Sequence, residues 1–222
     1  DSRFFETPAG YFTPANMRGP YWREHAKHWE KVLLFVRCWP GEDRPYPPED
    51  LISEPSIEVV KLSPYEGLKG FRRSRKEILR VFAERIDELD VVNARGPGLL
   101  SDLAISFFGP RRPLLATVVG DPEGVWGSEK SVYRNFPFLW PFRRYVGKWM
   151  AYRYRRLMRH ADCVVGVATY LAEKFRHSPN QPIAQIADTK LREEHFIAPR
   201  GREGPMLGVV AGRVWEHKNY QT

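Results

Sequence analysis

The sequence predicts an α/β fold, a parallel sheet with helices on both faces. Three observations lead there. Short apolar or β-branched runs alternate with amphipathic segments from Lys31 onward. The segment Arg72–Leu89 carries Ile78, Leu79, Val81, Phe82, Ile86 and Leu89 at helical spacing, with charges between them. Gly/Pro-rich breaks follow two of the runs directly, at Arg95–Gly98 and Gly120–Gly124.

Taken in order, Lys31–Arg37 (KVLLFVR) is a buried strand stopped by Pro40-Gly41, and Ser56–Leu62 alternates as a second strand. The Arg72–Leu89 helix follows, then a short strand at Asp90–Asn93. Leu99–Phe108 is a helix whose start is marked by Pro97 and Gly98. Leu114–Val119 is the next buried strand, and the Gly120–Gly124 segment reads as a loop. A long helix is expected from about Phe142 to His160, then a β-branched strand at Asp162–Ala168. Thr169–His177 reads as a helix opened by a threonine cap, and Pro182–Ala187 is a further apolar stretch. Pro199–Pro205 has the composition of a linker, and Met206–Ala211 starts another strand that ends at Gly212-Arg213. No strand is expected ahead of Arg18-Gly19-Pro20, and the last seventeen residues are too few for a second unit, so the sequence reads as cut at both ends. The expected organisation is one domain over 1–198, a linker at 199–205 and the beginning of another domain at 206–222.

Composition narrows the class. The chain has 222 residues, 42% hydrophobic and 14% aromatic, enough for a sizeable core, and 28% charged residues excludes a disordered chain. Apolar runs such as Pro113–Gly120 fall well short of the ~20 residues of a membrane span, and Asp1-Ser2-Arg3 does not open a signal peptide. Cys38 and Cys163 lie in hydrophobic runs and read as buried thiols of a reduced, cytoplasmic compartment. His25 and His28 stand three apart on an early helix, without a third ligand at useful spacing, so no metal site is expected.

The net charge of +8 belongs to one segment. Lys130–Ala161 holds nine Lys or Arg and no Asp or Glu, whereas the remaining residues carry 26 basic against 27 acidic. At 100° per residue, Arg144, Lys148, Arg155 and Arg159 fall within about 60° of one another. Phe142, Val146, Trp149, Met150 and Leu157 gather opposite as an expected core face, with Arg153 unexplained in its middle. Such a helix suits an anionic bilayer surface, or it is a solvated face whose charges pair with acidic residues elsewhere. A non-enzymatic polyanion-binding module is a further alternative. Nucleic acid is not favoured, because no aromatic-interleaved strand motif accompanies the charge.

In parallel sheets ligands collect where the loops after the strands converge. This marks Arg95, Gly96 and Gly120 as candidate ligand-binding positions, with Asp121 as an ionisable group beside them. A carboxylate at Asp121 can accept a hydroxyl proton or bind hydroxyls, or it caps a turn, as Asp before Pro often does. Arg95 meets a phosphate or hydroxyl, or closes its loop through an ion pair. Arg213 follows a strand-ending Gly212, and Lys218 comes five residues later. Two cations around a strand-to-helix turn suit a diphosphate; a basic, solvated turn is the alternative.

Four stretches in this order, ELDVVNARGPGLLSDLAI, RPLLATVVGDPEGVWG, the basic helix into HADCVVGVATYLAEKF, and MLGVVAGRVWEHKNYQT, resemble the N-terminal half of a glycosyltransferase family 4 enzyme. The resemblance covers roughly Ile57 to Thr222. It implies Rossmann-like domains of the glycosyltransferase-B fold, facing across a cleft, with acceptor bound mainly by the first and donor by the second. By the resemblance alone, Arg95, Gly96 and Gly120 are acceptor-binding positions. Arg213 and Lys218 match the positions that hold the donor diphosphate. The implied reaction moves a hexosyl group from a nucleotide-diphosphate sugar to an acceptor hydroxyl, with retention, without metal or other cofactor. It fits bacterial surface polysaccharide or glycolipid assembly at the inner membrane face, with a sugar or lipid-linked acceptor as partner. This chain alone, lacking most of the donor domain, is expected to be inactive. Val119 departs from the family, in which many members carry a histidine there. A nucleotide-sugar epimerase of the same fold is the remaining alternative.

Overall fold

The computed structural model describes residues 3–14, 19–41, 46–128 and 137–185. The chain divides into two compact units, 1–114 and 115–222. The expected linker at 199–205 and the strand at 206–211 lie outside the described residues.

The first unit is built on a four-stranded sheet of order β2-β1-β3-β4, formed by β1 (Arg3–Thr7), β2 (Gly10–Phe12), β3 (Val32–Pro40) and β4 (Ile57–Leu62). Strand β1 runs antiparallel to β2 and parallel to β3, and β3 is parallel to β4 with Leu34 opposite Val59. The strands ahead of Gly19 correct the expectation that none would be found there. Their turn, Pro8-Ala9-Gly10, places Gly10 at φ 137°, where a side chain would be strained and a Cβ would stand 2.7 Å from the Ile52 carbonyl oxygen. A two-way backbone bridge joins Tyr11 to Ile52.

Alternation along β3 sends its side chains to two faces. Leu34 and Cys38 join Phe4 and Ile52 on one face, where Trp22 of α1 (Gly19–Ala26) packs against them. On the other face Phe35 meets Phe82 at 5.4 Å and Phe108 at 5.9 Å between ring centroids. Phe82 belongs to α2 (Gly67–Arg85), and Phe108 to α3 (Leu99–Phe108). Helices therefore cover both faces, as the alternating pattern predicts. Ile78 and Phe82 are fully buried, each contributing roughly 2–3 kcal/mol of transfer free energy. Helix α2 begins five residues before its predicted start, and Ile86–Glu88 continues it as a 3-10 turn. His28 lies beyond the end of α1, so His25 and His28 do not share a helix as expected. Strand β5 (Val92–Gly96) is followed by a cis Gly96–Pro97 peptide and then α3.

The second sheet has the order β5-β6-β7-β8. Within the second unit β6 (Leu114–Val118), β7 (Cys163–Gly166) and β8 (Ile183–Gln185) are parallel, with Thr117 opposite Val165 and Val165 opposite Ala184. Three helices accompany them, α4 (Pro122–Ser128), α5 (Arg143–Leu157) and α6 (Thr169–Phe175). The architecture is α/β, with parallel strands and surrounding helices as in a Rossmann-like fold.

Three local expectations are corrected here. The segment expected as a Gly120–Gly124 loop turns into α4 at Pro122, because Asp121 and Pro122 form a helix start. Helix α6 has Ala168, not Thr169, at its cap, without a side-chain cap bond, and the Thr169 hydroxyl meets the Gln185 side chain instead. Helix α5 buries Gly147, Ala151 and Tyr154, continued by Met158 in the following 3-10 turn. Phe142 and Trp149, which the helical spacing placed in its core face, are exposed. The seam is set by small residues: a Cβ on Gly147 would stand 2.8 Å from the Glu123 carbonyl oxygen of α4. With the phase corrected, Arg153 lies on the exposed side, its guanidinium 5.9 Å from the Trp149 ring centroid.

Candidate functional site at the ends of the parallel strands

Strand β6 ends at Val118, whose carbonyl accepts the Val167 amide from the end of β7, so the two strands release their chains side by side. Gly120 and Asp121 come next. A Cβ on Gly120 would meet nothing within 4 Å, so the backbone faces open space there. Asp121 Oδ1 accepts the Glu123 amide at 2.9 Å, capping α4. Its Oδ2 accepts a hydrogen bond from Lys174 Nζ on α6 at 2.7 Å, and the same ammonium donates to Glu123 Oε2 at 2.9 Å. All three side chains are partly accessible, Lys174 at 35% and Asp121 at 24%. Burial works to lower the Lys174 pKa, but the bonds to Asp121 and Glu123 outweigh it and raise the value. The cluster is a small polar lip where α4 and α6 begin and end. Each carboxylate oxygen has a second lone-pair site, so Asp121 can still accept a ligand hydroxyl.

Sequence reasoning picked out Asp121 and missed Lys174 and Glu123. The ion pair spans 53 residues, and no local pattern reports such a contact. Glu123 lay within the segment read as a loop.

In the first unit Arg95 is half-buried and Gly96 is buried at the end of β5. Gly98 accepts the Asp102 amide and the Ser101 hydroxyl, which fixes the start of α3. Arg213 and Lys218 lie outside the described residues.

The four cations of the α5 stripe are all exposed. Arg155 Nε donates to the Arg176 carbonyl at 3.1 Å, and Arg159 Nε to His160 Nε2 at 3.1 Å. Burial chiefly, with the Arg159 charge next, lowers the His160 pKa. Among the described residues no group of three or more His, Cys, Asp or Glu could hold a metal ion, and His25 Nδ1 lies 3.0 Å from the Tyr21 carbonyl. Both cysteines are free thiols, with burial raising their pKa values. No helix among the described residues is long and apolar enough to cross a membrane. No protein-family model matches the chain, and no curated protein matches it.

Proposed function

We propose that the chain is the acceptor-side part of a glycosyltransferase, moving a hexosyl group from a nucleotide-diphosphate sugar to an acceptor hydroxyl. The observation that carries this reading is the position of Asp121. Its carboxylate stands at the carboxyl end of parallel strand β6, beside an open Gly120, where α/β sheets collect their ligands. The ordered motif resemblance supports the same reading from sequence.

In this mechanism the acceptor hydroxyl docks against Asp121, which Lys174 and the Glu123 amide hold in one orientation. Asp121 orients the hydroxyl and draws on its proton as the oxygen attacks the anomeric carbon. The nucleotide diphosphate leaves against Arg213 and Lys218, whose charges offset the negative charge that develops on it. Arg95 and Gly96 belong to the acceptor side. Donor geometry of the retaining type without a metal follows from the family resemblance and is part of the proposal.

The test is calorimetric titration of the intact protein with UDP-, GDP- and ADP-sugars, repeated on an Arg213→Ala, Lys218→Ala double variant. Micromolar binding of one donor, lost in the double variant, is expected, followed by glycosylation of an added acceptor. Donor binding with epimerised sugar and no transfer would assign an epimerase. A folded intact protein that binds no donor would overturn the transferase.

A further inference from the structure

Of the nine large apolar side chains exposed among the described residues, five are Phe138, Phe142, Tyr145, Trp149 and Tyr152. They occupy a stretch of fifteen residues. At 100° per residue, Tyr145, Trp149 and Tyr152 fall within about 60° of one another on α5, opposite the Gly147–Ala151–Tyr154 seam. Basic side chains flank this ridge. Arg144, Lys148 and Arg155 lie along one side of it and Arg153 along the other, with Arg159 exposed in the 3-10 turn that follows α5. The ridge arginines rest against the rings: the Arg153 guanidinium is 5.9 Å from the Trp149 centroid, and that of Arg156 is 5.8 Å from Tyr152. A 3-10 approach turn, Pro137–Phe142, leads into α5, and its Trp140 ring centroid lies 4.5 Å from the guanidinium of Arg143, the first residue of the helix.

A helix designed only for solvent gains nothing from one Trp and two Tyr side by side at 58%, 76% and 60% exposure. The combination matches a membrane interface. Trp and Tyr rings settle at headgroup depth, and Arg and Lys meet lipid phosphates. Each guanidinium lies over one face of the Trp149 or Tyr152 ring, and the ring edges remain to enter a lipid surface. No described helix can span a bilayer, so α5 would lie along it.

We propose that this face of α5, with Phe138 and Phe142 on its approach turn, docks on an anionic lipid bilayer. Tyr145, Trp149 and Tyr152 sink to headgroup level, and the flanking cations bind lipid phosphates. The inference rests on this helix and is independent of the transferase reading. It also revises the sequence expectation, because the apolar contribution comes from the exposed side of α5 and includes two residues expected in its core.

The test is co-sedimentation of the intact protein with phosphatidylcholine vesicles and with vesicles that also contain phosphatidylglycerol. Binding to the anionic vesicles is expected to be at least about tenfold stronger, and to weaken with salt. A Tyr145→Ser, Trp149→Ser, Tyr152→Ser variant changes only exposed positions and is expected to bind roughly tenfold more weakly. Lipids brominated on their acyl chains are expected to quench the native protein more than its Trp149→Phe variant. Equal binding to both vesicle types, or none, overturns the proposal, as does an aromatic variant that binds like the native protein. If a single-stranded RNA oligonucleotide displaces the protein from vesicles and binds the aromatic variant unchanged, the face is a polyanion site and the lipid proposal fails.

Discussion

Lys174 on α6 stands 2.7 Å from Asp121 and 2.9 Å from Glu123, and so ties the start of α4 to a helix that begins after the next strand. Asp121 thus has two separable roles, as helix cap and as ion-pair partner. Asparagine keeps the first and loses the second. Asp121→Asn is expected to cost about 0.5 kcal/mol, and Asp121→Ala about 1–2 kcal/mol, because a lost cap typically costs ~1 kcal/mol and a partly exposed pair less. Urea unfolding midpoints of the two variants check this; equal losses would refute a capping role.

At Gly147 the backbones of α4 and α5 approach closely, since a Cβ there would stand 2.8 Å from the Glu123 carbonyl oxygen. Gly147→Ala gains helix propensity of ~1 kcal/mol but forces the helices apart, an overpacking cost of ~1–3 kcal/mol. A net destabilisation of about 1 kcal/mol is expected in thermal unfolding. Arg144→Ala, at an exposed position of the same helix, should leave the midpoint nearly unmoved.

Glu58 on β4 accepts a hydrogen bond from Lys31 at 2.7 Å and lies 2.6 Å from Arg85 on α2. The Lys31 bond first, and the Arg85 bond next, hold its pKa below the ordinary 4.5. Glu88 is lowered likewise, chiefly by Arg85. A carboxyl more acidic in the folded chain adds stability above its unfolded pKa and loses it as pH falls through the folded value. Stability should therefore hold near neutrality and decline below about pH 4.5, with a shallower decline in Glu58→Gln, measured as urea midpoints against pH.

Arg37 is buried on β3, with its guanidinium 4.6 Å from the Tyr65 ring centroid and 5.2 Å from that of Trp39. Its Nη1 donates to the Tyr65 carbonyl at 2.9 Å. Burial, the largest influence, lowers its pKa. Lysine offers no planar group for that slot, so Arg37→Lys is expected to cost about 1–3 kcal/mol in chemical unfolding despite keeping the charge.

Much of the fold was legible from period and punctuation. The bounds Leu99–Phe108 agree for α3, and the apolar set of Arg72–Leu89 includes Ile78 and Phe82, both fully buried. What escaped was non-local or small. Strand β1 is held by parallel pairing to Arg37–Pro40, a contact its own five residues do not announce. Glycine and alanine carry little hydrophobic signal, so the Gly147–Ala151 seam lost out to the larger Phe142 and Trp149, and the phase of α5 was misread. At the candidate site Asp121 was visible beside a strand-ending glycine, but its lysine partner became visible only once α6 had folded back beside α4.

The Tyr11–Ile52 bridge has a consequence for self-association. Strand β2 is the outer strand on its side of the first sheet and is only three residues long. Tyr11 already exchanges both of its outward backbone hydrogen bonds with Ile52. An unsealed edge is a template on which a second chain can add a strand, and short or covered edges deny that template. By spending the middle residue of its shortest strand on a loop, this sheet closes one flank to fibril-like growth without a charged side chain or a proline in the strand.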